Sequence, residues 1–200
     1  MGRPSNQAQR RAQIVDATIR VMAGAGFDAA STSAIAGEAG LSTSLLHHHF
    51  SNKAAILAAV LEALAQRLLA REEQLRARAR GPWGPLNAFI DAHLALGEGA
   101  SPEALACWIW IGAQALKGGP LAEAYARFNR ERHARLVEIL RALARRGGRR
   151  HALPSLATDL ICLIEGHYQL AATSDLIAPG SAAKRVKRSA RLLFEVGVSP

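Results

Sequence analysis

No stretch of this chain alternates apolar and polar residues with the two-residue period of a half-buried strand, and no Asn-Gly or Asp-Gly hairpin signal occurs. Apolar residues recur instead at three- and four-residue spacing. They are interrupted at Gly24 and Gly26, Gly40, Ser51-Asn52, Gly81-Pro82-Trp83-Gly84-Pro85, Ser101-Pro102, Gly118-Gly119-Pro120, Gly147-Gly148, Pro154 and Pro179-Gly180-Ser181. A chain patterned this way can only be all-α. About nine helices are predicted, over 7–25, 33–39, 43–49, 53–80, 85–97, 102–117, 120–146, 154–174 and 181–196. Pro85, Pro102, Pro120 and Pro154 each fall in a predicted first turn, where the missing N–H leaves no bond unmade. The first three helices are expected to be short and joined by tight turns, the later ones long. This divides the chain into a compact three-helix module, residues 1–52, and a larger helical body, residues 53–200.

Composition narrows the class further. Half of the 200 residues are apolar, enough to build a core without disulfides or metal. Cys107 and Cys162 lie far apart, with neither CxxC spacing nor a disulfide framework. The weakly polar run Ala104–Leu116 is too short to span a bilayer. Residues 1–11 lack the apolar segment of a signal peptide, so a cytoplasmic protein with no membrane partner is expected. The net charge of +9 and pI of about 10.7 suit a nucleic-acid partner. Residues 1–53, however, hold only five basic residues against three acids. Ten cations fall in two later clusters, Arg141, Arg145, Arg146, Arg149 and Arg150, then Lys184, Arg185, Lys187, Arg188 and Arg191, expected as solvated helix faces. The case for DNA therefore rests on the local pattern of the module.

In the first helix Ile14, Thr18, Ile19, Met22 and Ala25 share a face, with Asp16 and Arg20 spaced for an outer ion pair, and Phe27 follows as a core plug. Thr32 is placed to cap a short helix whose Ile35, Ala36 and Ala39 point inward. Gly40 then ends it in the left-handed conformation, Leu41 tucks under, and Ser42 caps the next helix. Two short helices joined by a glycine turn describe a helix-turn-helix. In that geometry the second helix enters the major groove of double-stranded DNA, with Thr43, Ser44 and Leu45 at the base edges and Thr32 and Ser33 beside phosphates. His47, His48 and His49 point about 100° apart in succession, so they do not jointly bind a metal, and no metal or cofactor is expected.

The segment TSAIAGEAGLSTSLLHHHFSNKAAIL resembles the signature of the tetracycline-repressor (TetR) family, a match covering most of residues 8–60. The resemblance implies that Thr43, Ser44, Leu45 and His47 read bases. It implies phosphate contacts for Thr32, Ser33, His48, His49 and Lys53. Ser44 stands where the family usually has Gly or another small residue, and His occupies 47 and 49 where Tyr is commoner.

In the body, the helix beginning at Lys53 carries a stripe of Ile56, Leu57, Val60, Leu61, Leu64 and Leu68 and then an exposed-looking end, LLAREEQLRARAR. The resemblance makes it the element linking head to ligand domain. The last two helices are expected to form a homodimer. One offers Leu156, Leu160, Leu163, Ile164, His167 and Leu170; the other, capped by Ser181, offers Ala182, Val186, Ala190, Leu193 and Phe194. Candidate ligand-lining residues are Phe89, His93, Trp108, Trp110, Phe128, His167 and Tyr168, although Trp108 and Trp110 point about 200° apart on one helix. The stretch ACWIWIGAQALKGGPLAEAYARFNRERHARLVEILRALARRG is similar, more loosely, to the ligand domain of the choline-responsive BetI repressor subgroup. That likeness implies a quaternary ammonium effector held by aromatic faces and a carboxylate such as Glu165.

No G-x-S-x-G, H-E-x-x-H, P-loop or paired-carboxylate pattern supports an enzyme. The sequence reads as a homodimeric, ligand-released repressor of a palindromic operator. A helical adaptor for proteins, or an activator of the same fold, remains the alternative.

Overall fold

A computed structural model describes residues 6–96, 102–145 and 153–196. Among the described residues it contains helices and no strand. The helices are α1 (Asn6–Ala29), α2 (Thr32–Glu38), α3 (Thr43–His49), α4 (Lys53–Arg78), α5 (Gly84–Leu94), α6 (Pro102–Ala115), α7 (Gly119–Ala144), α8 (Leu153–Thr173) and α9 (Ala182–Val196). Each expected helix is present, with ends shifted by a few residues, and the four prolines do sit in first turns. Arg146, Arg149, Arg150, the Gly147-Gly148 break and Ser101 lie outside the described residues. No helix among the described residues is long and apolar enough to cross a membrane.

The chain packs as two compact units, one drawn from Met1–Gln66 and Ser101–Ala126, the other from Arg67–Ala100 and Arg127–Pro200. In the first, α1 packs on α2, α3 and α6, and α2 packs on α3. Ile14, Ile19 and Met22 of α1, Ile35 of α2, Leu46 of α3, and Ile56 and Val60 of α4 are almost fully buried, each contributing roughly 1.5–3 kcal/mol of apolar transfer. Ala25 is exposed rather than buried, because α1 breaks one residue later at Gly26 (φ 82°, ψ 170°) and the chain turns to insert Phe27. Packing thus joins α6 to the three-helix module although about fifty residues separate them in sequence.

Three side-chain caps set the starts of α2, α3 and α4. Ser31, Ser42 and Asn52 accept from the backbone N–H groups of Ala34, Leu45 and Ala55 at 3.1, 3.2 and 2.9 Å, each contributing about 1 kcal/mol. The cap of α2 is Ser31, not Thr32, which is the first helical residue. Ser31 holds extended backbone angles that aim its hydroxyl back at Ala34. At the other end of α2, Gly40 (φ 63°) donates to Gly37 O and Leu41 donates to Ala36 O. This pair of bonds satisfies the last carbonyls and needs a left-handed residue between them.

In the second unit α5, α8 and α9 pack mutually. Their common core holds Leu86, Phe89, Ile90, Leu136, Leu140, Leu156, Leu160, Ile164, Val186 and Ala190. Here the structure corrects the sequence reading. Leu156, Leu160, Ile164, Ala182, Val186 and Ala190, assigned to a subunit interface, are buried inside their own chain. Leu163, Leu193 and Phe194 pack half-buried against the same core, and of the named residues only Leu170 is well exposed. The end of α4 is also not simply solvated. Glu72 is 1% exposed and accepts from Arg135 Nε at 2.9 Å, and Arg71 donates to the carbonyls of Ala92 and Ala95 at 3.0 and 2.6 Å. Ser181 stands just before α9, but its hydroxyl is buried without a hydrogen-bond partner, so the predicted side-chain cap does not form.

Candidate functional site

α3 presents a row of side chains that no other described residue covers. Thr43, Ser44, Leu45, His47 and His48 are exposed, His49 is half-buried, and Leu46 and Phe50 are buried beneath as anchors. The residues just before α3, Gly40 to Ser42, fix its start, so Thr43 to Leu45 form its first turn. Ser33 on α2 is exposed and shares a 3.0 Å hydroxyl contact with Ser31, and Thr32 is half-buried.

α1 fastens both short helices with polar side chains that sequence reasoning missed. Arg11 donates to the carbonyl of His49 at 2.5 Å and stacks 4.0 Å from the Phe50 ring centroid. Gln13 donates to the carbonyl of Ala39 at 2.6 Å. Arg20 reaches across to Glu38 of α2 at 2.5 Å. Arg11 and Arg20 bring positive charge to the C-terminal ends of α3 and α2, where it is favourable. Only a three-dimensional register could reveal them, since their partners lie 18 to 38 residues away.

Lys53 sits differently from an ordinary surface lysine. Its ammonium donates to the carbonyl of Phe27 at 3.2 Å and lies 4.0 Å over the Phe27 ring centroid. Desolvation lowers its pKa, opposed by Asp28 and assisted by Lys117. One of its three donors is therefore committed to closing the module, and two are not used by that bond.

The residues proposed around a ligand divide between the units. Trp108 and Trp110 lie on α6 in the first. Trp110 stacks with Phe27 at 6.1 Å between centroids, while Trp108 is half-buried on the same helix. The other six belong to the second unit. His93 and Phe89 are 4.5 Å apart and buried, and His93 Nδ1 meets its own helix at the Phe89 carbonyl, 2.8 Å away. His167 makes the same bond to Leu163 at 2.7 Å. Glu165 accepts from the buried Arg132 at 2.7 Å, the guanidinium of which lies 5.2 Å from the Phe128 centroid, and Tyr168 packs half-buried against the core. None of the eight lines the open cleft of about 750 Å³ between α5 and α9, which is bordered by Lys184, Lys187, Arg188 and Arg191 against Asp91 and Glu195. Lys187 there pairs with Asp91 at 2.5 Å rather than standing free in solvent.

Burial pushes the His93 pKa down to about 3, with the charges of Arg132 and Arg71 acting in the same direction. Its folded pKa thus lies below its unfolded value of about 6.5. Between those values the unfolded chain binds a proton that the folded chain refuses, so stability falls as pH drops from about 6.5 towards 3, by at most about 1.4 kcal/mol per pH unit. Urea midpoints between pH 4 and 7.5 should therefore fall more steeply with acid in the native protein than in His93→Leu. Parallel curves would mean that His93 is protonated in the fold.

Two family models together cover most of the chain. Residues 14–60 match "Bacterial regulatory proteins, tetR family", and residues 84–195 match "BetI-type transcriptional repressor, C-terminal". Among curated relatives, the HTH-type transcriptional regulator BetI of Burkholderia ambifaria is 29% identical over 159 residues, spanning 78% of this chain and 79% of that one. The BetI of Rhizobium meliloti is 31% identical over 136 residues, 67% and 66% of the two chains. A transcriptional regulator from Pseudomonas aeruginosa PAO1 superposes with a TM-score of 0.78 at 25% identity, over 93% of this chain and 90% of that one. A regulator from Saccharomonospora viridis, solved in complex with choline, shares the fold with a TM-score of 0.77 at 18% identity, over 93% and 95% of the chains.

Proposed function

The chain belongs to the TetR family of bacterial transcriptional regulators and carries a BetI-type C-terminal domain, and from that premise we propose that it is a homodimeric repressor released from a palindromic operator by a small molecule. The observation that carries this reading is α3 itself, exposed along Thr43, Ser44, Leu45 and His47 and anchored from below by Leu46. Residues 1–52 act as the DNA-binding head and residues 53–200 as the ligand-binding and dimerisation part, working in the cytoplasm. Thr43, Ser44, Leu45 and His47 read base edges in the major groove. Thr32, Ser33, His48, His49 and Lys53 meet phosphates, Lys53 through the donors that Phe27 does not use.

The two-fold partner docks through α8 and α9. Because their apolar faces are spent inside the chain, the outer faces supply the contact, with Cys162, Gly166 and Leu170 on α8 and Arg188 and Leu192 on α9, all exposed. The effector is a quaternary ammonium compound, by analogy with the BetI relatives and the choline-bound neighbour. It is held within the second unit by Phe89, His93, Phe128, Glu165, His167 and Tyr168.

Fluorescence anisotropy with the duplex upstream of the protein's own gene tests this reading, at two salt concentrations and with or without choline. Tight binding that weakens steeply with salt is expected, because phosphate contacts release counterions. In Lys53→Ala the affinity should fall about equally on all duplexes and the log–log salt slope should flatten by roughly one, while the thermal midpoint drops with the lost Phe27 contacts. No binding to any duplex would favour a protein-binding adaptor. Binding that raises transcription of the adjacent gene would make the protein an activator.

A further inference from the structure

Three side chains from α1, α4 and α6 meet in the first unit, and one of them is a cation beside the reading helix. Lys53 opens α4 just past the end of α3 and is half-buried. A single residue holds its ammonium in two ways. The Phe27 carbonyl accepts from it at 3.2 Å, and the centroid of the Phe27 ring lies 4.0 Å away. The ring attracts the charge through its face without consuming an N–H, so donors remain for a second partner.

Phe27 is not placed by regular helix geometry, because α1 breaks at Gly26 (φ 82°) immediately before it. Its carbonyl also accepts from Ala30 N at 3.1 Å, which fixes the backbone of the turn. Its ring is stacked with Trp110 of α6, the centroids 6.1 Å apart and the planes 25° from parallel, within the range of favourable aromatic pairs. α6 is in turn secured on α1. Cys107 and Ile111, on either side of Trp110, are 0% exposed, and Cys107 Sγ lies 3.8 Å from the carbonyl of Ile19. Trp110 itself is 39% exposed. An indole left that open is a minor contributor to the core, and the ring it covers is Phe27.

A lysine stem is long and flexible, and ordering it when a complex forms costs affinity. An ammonium already held over a ring, with that ring held from α6, has less order to acquire. We infer that Trp110 is a positioning residue for DNA binding: through the Phe27 ring it keeps the Lys53 ammonium set for a backbone phosphate, without touching DNA itself. The inference rests on the reading that Lys53 meets phosphate. It adds to that reading a residue from α6, some fifty positions beyond α4's start in sequence.

Anisotropy of the full-length protein on the duplex upstream of its own gene, and on an unrelated duplex, tests it well below the thermal midpoint. Trp110→Ala should weaken binding about threefold to tenfold on both duplexes, the ordering cost of one long side chain. Trp110→Phe, which restores a flat ring, should stay within about twofold of native. In a Lys53→Ala background, Trp110→Ala should change affinity by less than about twofold, because the group it positions is gone. Its thermal midpoint should fall in both backgrounds. A purely structural role would lower affinity equally in both backgrounds, and that result overturns the inference. Native affinity in Trp110→Ala overturns it as well. Trp110→Leu, which keeps apolar bulk but no flat face, gives the same comparison if the alanine variant does not fold. Lys53→Ala alone judges the underlying reading. Unchanged affinity and salt slope there remove the phosphate contact and the inference with it. A slope flattened by roughly one, beside an inert Trp110→Ala, removes the inference alone.

Discussion

In Ser44→Glu, operator affinity is expected to fall at least about a hundredfold, equivalent to about 2.7 kcal/mol, with no loss of thermal stability. Ser44 is exposed in the first turn of α3, and its hydroxyl makes no contact that closes the head. On the proposed reading of α3, a carboxylate there removes a donor from the row that faces DNA and sets a negative charge against the phosphates. The same charge lies at a helix N-terminus, where it is favourable by roughly 0.3–1 kcal/mol. Binding and stability should therefore move in opposite directions, a signature that a misfolded head does not give. Anisotropy beside a thermal melt of the same protein measures both, and affinity within fivefold of native would remove α3 as the reading helix.

Leu160→Ala is expected to cost about 2–5 kcal/mol of folding stability, a large share of the 5–15 kcal/mol that typical domains possess. Leu160 is 0% exposed in the core shared by Phe89, Leu136, Leu140, Ile164 and Val186, so truncation opens a cavity that surrounding helices cannot wholly collapse. Urea unfolding at two protein concentrations checks the mechanism. A side chain within one chain loses the same free energy at both. A side chain at a subunit contact would act through the monomer–dimer equilibrium, and its loss would vary with concentration.

That contrast marks where sequence stopped being informative. The helices of the described residues were legible because punctuation is strong: four prolines in first turns, and Gly40 at a left-handed stop. The row from Thr43 to His49 was legible because the caps and the buried Leu46 fix which way it faces. What could not be read was the identity of the surface covering each apolar stripe. α8 and α9 each show a single apolar face, and a face of that kind fits a neighbouring helix of the same chain as well as a second subunit. Glu72 looked solvated because its partner Arg135 lies 63 residues away. Three consecutive hydroxyls, Ser31 to Ser33, made the cap of α2 ambiguous by one position, and only the backbone angles of Ser31 decide it. The ligand residues were chosen by type. Arg71 and Arg132, whose Nε–H groups are buried without a partner, were passed over because arginine in a helix usually faces water.

The packing of α6 on α1 bears on how such regulators can be recombined. Trp110 covers Phe27, and Cys107 Sγ lies 3.8 Å from the carbonyl of Ile19, so part of the head's surface is completed by residues 102–115. A chimera that exchanges only the first fifty or so residues would pair a foreign α1 with this α6, whose side chains were shaped for another surface. Grafts that carry α6 along with the head preserve that fit. If α3 reads the operator as proposed, specificity swaps made within it alone avoid the problem and make its seven residues the natural unit for retargeting.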